Sequence, residues 1–249
     1  MRLLLTGLGG TLAPKLAQAA AQRGWRVVGW DRTRVPPQDA PAGEAWLQTC
    51  RPDAIAHLAL GDPAWAALLA RHAAAHGLPM VFTSTAMVFH HRPDGPHAVQ
   101  DARNAEDDYG RSKIACEDAV LAAHPQACVA RIGWQIDPDG LGNNMLAQLD
   151  GWQAREGWVA ASRVWRPACS FMADTAQALL DLIAAQAAGT VHLDSNADEA
   201  HSFDAIVAAL KRQYGRAAWR LRVHEDYRHD QRLAGGAARV PALATRLRF

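Results

Sequence analysis

Short apolar runs alternate along the chain with longer stretches rich in Ala and Leu. The short runs carry the β-branched and aromatic residues that are typical of buried strands, and the longer stretches have helical length. The pattern predicts strands at residues 3–6, 26–30, 54–60, 80–84 and 127–132, and helices at 12–23, 64–76, 106–123 and 174–187, the last opened by an Asp174 cap. Because parallel neighbours need crossover connections, this alternation predicts an α/β fold with a doubly wound parallel sheet, a Rossmann fold.

The alternation loosens after about residue 135, where Gly, Asn and Asp residues predict turns across 137–144. We therefore expect a dinucleotide-binding core at residues 1–135, to which residues 160–190 return. A smaller C-terminal substrate lobe is expected to contain residues 136–160 and 190–249.

Composition narrows the range of partners. The 26 basic and 25 acidic residues give a formal charge of +1, so no overall field attracts nucleic acid or an acidic membrane. No apolar run approaches the roughly 18 residues of a membrane span, and the first run is too short for a signal peptide. The four cysteines lie far apart, which is typical of reduced thiols that fill a core. These features predict a cytoplasmic protein with a small-molecule partner and no metal site.

A glycine-rich turn follows the first predicted strand. Gly7 permits a tight turn, Gly10 lets backbone N–H groups approach a pyrophosphate at the helix N-terminus, and the small Ala13 lets helix and strand pack closely. The G-x-x-G-x-x-A spacing is weak evidence by itself, since an ordinary turn between strand and helix also uses glycine. It predicts NAD or NADP as the cofactor.

The end of the second predicted strand supports a dinucleotide. Asp31 follows that strand and can accept hydrogen bonds from an adenosine ribose. Arg32 and Arg34 come next and can pair with a 2′-phosphate, or they can belong to an exposed loop. The choice between NAD and NADP stays open.

Tyr109 and Lys113 form the second chemical motif. Their i, i+4 spacing puts a phenol and an ammonium on one face of a predicted helix. A nearby cation lowers the pKa of a phenol, so the pair is expected to deliver a proton to a carbonyl that is being reduced. The structural alternative is a packed tyrosine beside a solvated lysine.

Four tryptophans follow the core in the predicted substrate lobe, namely Trp134, Trp152, Trp158 and Trp165. They can stack a base or a sugar, but core packing or a subunit contact is the favoured interpretation.

Taken together, these motifs resemble the extended short-chain dehydrogenase/reductases, and most closely the dTDP-4-dehydrorhamnose reductase branch. Beside the glycine turn and the Tyr109/Lys113 pair, the resemblance rests on His57-Leu58-Ala59-Leu60 ending a fourth strand and Thr83-Ser84-Thr85 ending a fifth. It also rests on Arg51-Pro52-Asp53, Glu117, Arg131-x-x-Trp134 and Gly142-Asn143-Asn144-Met145.

The resemblance implies NAD(P)H-dependent reduction of a keto group on a nucleotide-activated sugar. Thr85, Tyr109 and Lys113 would be the catalytic residues, and Lys113 would also bind the nicotinamide ribose. His57 and Ala59 would join the cofactor site, and Asn143, Asn144 and Arg232 would contact the substrate, Arg232 within only a partial motif match.

Two positions depart from the resemblance. Ala86 and Met87 follow Thr85 where this branch usually carries an Asp-Tyr pair. Dehydratases of this superfamily carry two acidic residues at the same place, so dehydration is not expected. Epimerisation on the same fold stays an alternative, as does a non-catalytic NAD(P)-binding regulatory subunit. A homodimer is a further expectation.

Overall fold

The computed structural model describes residues 1–92, 94–140 and 142–249. These residues form two compact units. The first unit contains residues 1–88, 105–131 and 176–191, and the second contains 89–104, 132–175 and 192–249. Compared with the sequence-based boundaries, residues 89–104, 132–135 and 160–175 are grouped with the second unit.

Strands and helices alternate through the first unit. The strands of the chain are β1 (Arg2–Thr6), β2 (Arg26–Gly29), β3 (Ala54–His57), β4 (Met80–Thr85), β5 (Cys128–Ile132), β6 (Trp134–Ile136), β7 (Val159–Ser162), β8 (Trp165–Arg166), β9 (Cys169–Phe171), β10 (Gly189–Leu193), β11 (Leu221–His224) and β12 (His229–Asp230). The α-helices are α1 (Leu12–Gln22), α2 (Ala40–Cys50), α3 (Pro63–His76), α4 (Asp108–Ala123), α5 (Met145–Glu156), α6 (Met172–Ala184) and α7 (Phe203–Gln213).

Six strands form the central sheet in the order β10-β5-β4-β3-β1-β2. The β1–β2, β1–β3 and β3–β4 pairs are parallel, as predicted. A buried cluster that includes Leu4, Ile55, Trp65 and Phe82 packs against this sheet. The doubly wound α/β fold is therefore confirmed.

The strand count predicted from the resemblance is wrong by one. His57 ends the third strand and Thr85 the fourth, because the segment between β2 and β3 forms α2 and no strand. Asp39 caps α2 by accepting a hydrogen bond from the Ala42 amide at 3.0 Å, and Pro41 stands in the first turn, where it costs no hydrogen bond.

The predicted Asp174 cap is also wrong. Helix α6 begins at Met172, so Asp174 lies inside its first turn. There its carboxylate accepts a hydrogen bond from Arg246 Nε at 2.6 Å and pairs with the same guanidinium through a second nitrogen.

The described residues of the second unit form three two-stranded sheets, β7–β11, β8–β12 and β6–β9, all parallel. Its buried cluster includes Ile136, Leu149 and Phe203. Of the four cysteines, Cys116, Cys128 and Cys169 are buried as predicted, whereas Cys50 is only half-buried. In the described ranges, no helix has both the length and the apolarity that a membrane span requires.

Candidate active site

The candidate cofactor site lies where the sheet order changes direction. Strand β1 has β2 on one side and β3 on the other, and such a switch point opens a crevice at the carboxyl ends of the strands. Thr6, the last residue of β1, is in register with His57, the last residue of β3. The loops that follow these two strands border this crevice.

The glycine turn has little room for side chains. Gly7 has a φ of +88°, and a Cβ there would lie 3.0 Å from the Ala59 amide nitrogen. The Gly10 amide donates to the Gly7 carbonyl at 2.8 Å, and a Gly10 Cβ would lie 3.1 Å from the same oxygen. Ala13 is buried in the first turn of α1. The turn therefore has the tight geometry that the spacing of Gly7, Gly10 and Ala13 predicts.

Thr6 is a residue that the sequence interpretation missed. Its hydroxyl accepts hydrogen bonds from the Leu58 and Ala59 amides, both at 3.1 Å, and lies 2.8 Å from His57 Nδ1. Because both lone pairs of the hydroxyl oxygen accept hydrogen bonds, the hydroxyl donates its proton to His57 Nδ1. Burial, with help from Lys113 and Arg32, lowers the pKa of His57 to about 3, so its ring is neutral. The signal in the sequence that could have identified Thr6 is its position directly before the first glycine of the turn.

Asp31 and Arg32 extend from the end of β2 in different ways. Asp31 is exposed and accepts hydrogen bonds from the Thr33 amide at 2.9 Å and the Thr33 hydroxyl at 2.7 Å, which lower its pKa. The Arg32 guanidinium lies 4.8 Å from the centre of the Trp65 ring and donates to the Leu60 carbonyl. Asp31 therefore presents an anionic carboxylate, while Arg32 is held against the loop that follows β3.

Thr85 and Tyr109 come together at the end of β4. Helix α4 begins at Asp108, and Asp107 caps it by accepting from the Gly110 amide at 2.8 Å. A Cβ on Gly110 would lie 2.4 Å from the Met87 carbonyl oxygen, so only glycine allows the helix to start this close to β4. The Thr85 hydroxyl lies near the Tyr109 phenol and lowers its pKa, and it accepts a hydrogen bond from the Met87 amide at 3.2 Å.

The prediction that Lys113 lowers the pKa of Tyr109 is wrong. Burial raises the pKa of the phenol, and the nearby Thr85 hydroxyl offsets this only in part. Lys113 is buried; its Nζ donates to the Thr83 carbonyl at 2.9 Å and lies over the Phe82 ring. Burial lowers the pKa of Lys113 to about 8. The ammonium is engaged one turn of the helix away from the phenol, so the phenol remains protonated near pH 7.

Glu117 and Arg131, which carried part of the resemblance, hold the first unit together. Arg131 Nε donates to Glu117 Oε1 at 3.0 Å and a second guanidinium nitrogen donates to Oε2 at 2.8 Å. Both side chains are at least 96% buried, so the pair forms a bidentate bridge between α4 and β5. These two motif positions are structural.

The predicted substrate residues lie in the second unit. Asn144 is buried and caps α5: its Oδ1 accepts from the Ala147 amide at 3.1 Å and its Nδ2 donates to the Gly140 carbonyl at 3.0 Å. Asn143 is exposed. The Arg232 guanidinium forms two hydrogen bonds with Asp230, both at 2.8 Å, and a third with the Ala197 carbonyl. The polar atoms of Asn144 and Arg232 are thus engaged in hydrogen bonds within the second unit.

Asp194 is the buried centre of the second unit. Its carboxylate accepts from the amides of Cys169 at 3.0 Å, Asn196 at 2.9 Å and Leu233 at 2.9 Å. Burial nevertheless raises its pKa to about 7.

The family model and the curated relatives agree on one family. The family model described as the RmlD substrate binding domain matches residues 1–219. A dTDP-4-dehydrorhamnose reductase of Mycobacterium tuberculosis (strain CDC 1551 / Oshkosh) is 30% identical over 208 residues, which cover 76% of this chain and 68% of that protein. The reductase of the same name from Mycolicibacterium smegmatis is 29% identical over 227 residues, covering 84% and 68% respectively.

Solved structures share the fold at lower identity. A dTDP-4-dehydrorhamnose reductase from Clostridium acetobutylicum superposes with a TM-score of 0.78 at 18% identity, over 92% of this chain and 86% of that one. Another from Bacillus anthracis, in complex with NADP, gives a TM-score of 0.77 at 18% identity, over 92% and 88%.

Proposed function

The chain belongs to the RmlD substrate binding domain family, and from this premise we propose that it is an NAD(P)H-dependent reductase of a keto group on a nucleotide-activated sugar. The observation that carries the proposal is that Thr85, Tyr109 and Lys113 lie around the end of β4, in the same unit as the glycine turn. The reductase names of the relatives agree with it.

The glycine turn fits a dinucleotide. A Cβ at Gly7 or Gly10 would crowd backbone atoms, so the turn keeps its amides close to the start of α1, where a pyrophosphate binds best. Gly7, Gly10 and Ala13 would hold the pyrophosphate, the Asp31 carboxylate would bind the adenosine ribose, and Lys113 would bind the nicotinamide ribose. When bound, the reduced nicotinamide supplies the hydride.

Tyr109 is the proton donor in this proposal. A raised pKa keeps its phenol protonated near neutral pH, which is the state that a reduction needs. The carbonyl oxygen gains negative charge as it is reduced, and the phenol gives it a proton. Thr85, whose hydroxyl lies near the phenol, would orient the same oxygen. If the Lys113 ammonium left the Thr83 carbonyl, it would bring positive charge toward the phenol. That charge would lower the pKa of the phenol and make it a stronger acid.

The test uses dTDP-4-dehydrorhamnose with NADPH or NADH, and follows both dinucleotide oxidation and the sugar product. We expect both dinucleotides to raise the melting temperature, and the Gly10→Val variant to lose that shift without losing its fold. One molecule of dinucleotide should be oxidised for each molecule of reduced sugar that is formed. A product with an inverted centre and no net oxidation would identify an epimerase, and dinucleotide binding without turnover across a panel of nucleotide sugars would identify a regulatory subunit.

A cytoplasmic location and a homodimer are also part of the proposal. Free cysteines, three of them buried, fit a reducing compartment. Light scattering of the purified chain measures the oligomeric state directly.

A further inference from the structure

The loop between β3 and α3, which we call the β3–α3 loop, is fixed at both ends by contacts within the first unit. At its start, the Thr6 hydroxyl accepts hydrogen bonds from two successive loop amides, both at 3.1 Å. At its end, Asp62 caps α3 by accepting from the Trp65 amide at 2.8 Å. The middle of the loop, at residues 60 and 61, is reached by neither contact.

Arg32 holds the middle of this loop. Its guanidinium donates a hydrogen bond to the Leu60 carbonyl and lies 4.8 Å from the centre of the Trp65 ring. The loop backbone passes close to the same ring, since a Cβ on Gly61 would lie 2.5 Å from Trp65 Cε3. Trp65 is only 1% exposed, and its ring meets the His57 ring edge to face, with centroids 4.7 Å apart. Arg32 therefore joins the loop to a rigid support.

The contact of Arg32 with Leu60 connects the ends of two strands. Arg32 follows β2 and Leu60 follows β3, and these strands lie on opposite sides of β1. The Arg32 side chain thus crosses the carboxyl edge of the sheet at its switch point. Asp31, the neighbour of Arg32, accepts hydrogen bonds from Thr33 at the same edge. The two adjacent side chains have separate partners.

These contacts compete with the binding of a 2′-phosphate by Arg32. A guanidinium that recognises a phosphate commonly uses two parallel N–H groups at once. Here one of those nitrogens donates to the Leu60 carbonyl, and the guanidinium lies over the Trp65 ring. To reach a phosphate, Arg32 would have to give up both contacts. The anionic Asp31 carboxylate would then repel the phosphate from the adjacent position.

We propose that Arg32 is a positioning residue, which holds the β3–α3 loop in place for a dinucleotide and does not recognise a 2′-phosphate. The inference rests on the proposed dinucleotide-dependent function. The loop and the glycine turn are in close contact, because a Cβ on Gly7 would lie 3.0 Å from the Ala59 amide nitrogen. A loop that is already ordered loses less conformational freedom when a ligand binds. Arg32 should therefore raise the affinity for NADH and NADPH equally.

The test measures the affinities of the full chain for NADH and NADPH by calorimetry, and hydrogen exchange of the Leu58 and Ala59 amides without ligand. We expect Arg32→Ala to weaken both dinucleotides by the same factor, about tenfold, and to speed the exchange of both amides. Arg32→Lys should recover little of either loss, because an ammonium keeps the charge but lacks the planar guanidinium. Since Arg32 is exposed, both variants should keep the fold.

Arg34→Ala is the matched control. It removes the same charge from an exposed position of the same segment and should leave the exchange of the loop amides unchanged. A loss confined to NADPH in Arg32→Ala, restored by Arg32→Lys, would overturn the proposal and make Arg32 the residue that recognises the phosphate. Tighter binding of both dinucleotides would overturn it too, since Arg32 would then obstruct the site.

Two further outcomes separate this inference from the proposed function. Unchanged loop exchange or unchanged affinities in Arg32→Ala, beside a wild type that binds dinucleotide, would overturn the role of Arg32 alone. A wild-type chain that binds neither dinucleotide would overturn the dinucleotide-dependent function, and the positioning role with it.

Discussion

The two units use their motif residues differently. In the first, the buried Glu117–Arg131 pair supports the fold, while Thr85 at the end of β4 and Tyr109 at the start of α4 bring their hydroxyl groups near each other. In the second, Asn144 and Arg232, which the resemblance named for the substrate, are themselves the residues that bind the unit together. A residue can therefore match a family pattern because it holds the fold, whatever it does for the ligand.

This contrast gives opposite predictions for the two units on turnover and stability. Substitutions of the chemical residues of the first unit should reduce turnover and spare stability. Substitutions of Asn144 or Arg232 should reduce stability and spare dinucleotide binding. The experiments below test the contrast, from the largest expected effect to the smallest.

Tyr109→Phe should produce the largest effect. The ring and its packing remain while the proton donor is lost, so turnover should fall about a hundredfold or more and dinucleotide binding should stay nearly unchanged. Steady-state kinetics and thermal shift measure the two. Tyr214→Phe, which also removes a phenol hydroxyl, is the control and should behave as wild type. Near wild-type turnover in Tyr109→Phe would refute its assignment as the acid.

Arg232→Met should mainly destabilise the protein. The substitution leaves the Asp230 carboxylate, whose side chain is only 11% exposed, without its bidentate partner. We expect a loss of about 2 kcal/mol, below the 3–5 kcal/mol of a fully buried pair. Urea denaturation measures it. Arg163→Met, which breaks an exposed pair with Glu225, should cost under about 1 kcal/mol. If Arg232 instead acts on the substrate, KM will rise and stability will not fall.

Patterns that repeat over many residues were read from the sequence far better than individual contacts. The parallel sheet follows from alternating runs, and the glycine turn from spacing alone. The pKa of Tyr109 could not be read this way, because it depends on burial and on Lys113 pointing to the Thr83 carbonyl. The contact between Trp165 and Phe203 was equally hidden, since the two residues are distant in sequence. Such contacts arise from tertiary packing, which local periodicity does not encode.

Asn144→Ala should have a smaller effect than Arg232→Met. It removes the side-chain cap of α5, and we expect a cost of about 1 kcal/mol in the free energy of unfolding. Asn144→Asp keeps an oxygen for the Ala147 amide and should recover much of that loss. Urea denaturation of both variants, with NADPH titrations beside them, checks the prediction. A rise in KM with unchanged stability in both would return Asn144 to the substrate site and weaken the contrast between the units.

The last effect is a change in how stability depends on pH, because His57 and Asp194 contribute with opposite signs. His57, in the first unit, has its pKa lowered from 6.5 to about 3, so the unfolded chain binds its proton first and stability is lost as pH falls below 6.5. Asp194, in the second unit, has its pKa raised from 3.8 to about 7, so its contribution is fully present below pH 3.8 and is lost as pH rises toward 7.

Asp194→Asn should therefore steepen the loss of stability on acidification between about pH 6.5 and 4.5. The variant starts from a lower stability, since its side-chain amide cannot accept from all three backbone amides that the carboxylate binds. Only the slopes are compared, and we expect them to differ by about 1 kcal/mol per pH unit in urea denaturation, close to the full effect of one proton. Asp226→Asn, on a side chain that is 95% exposed, is the control and should keep the wild-type slope. His229, whose pKa burial lowers to about 4, adds to the acid loss in both proteins and so leaves the comparison unchanged. Equal slopes for wild type and Asp194→Asn would mean that the buried carboxyl keeps its charge in the folded state, held by its three amide donors against the cost of burial.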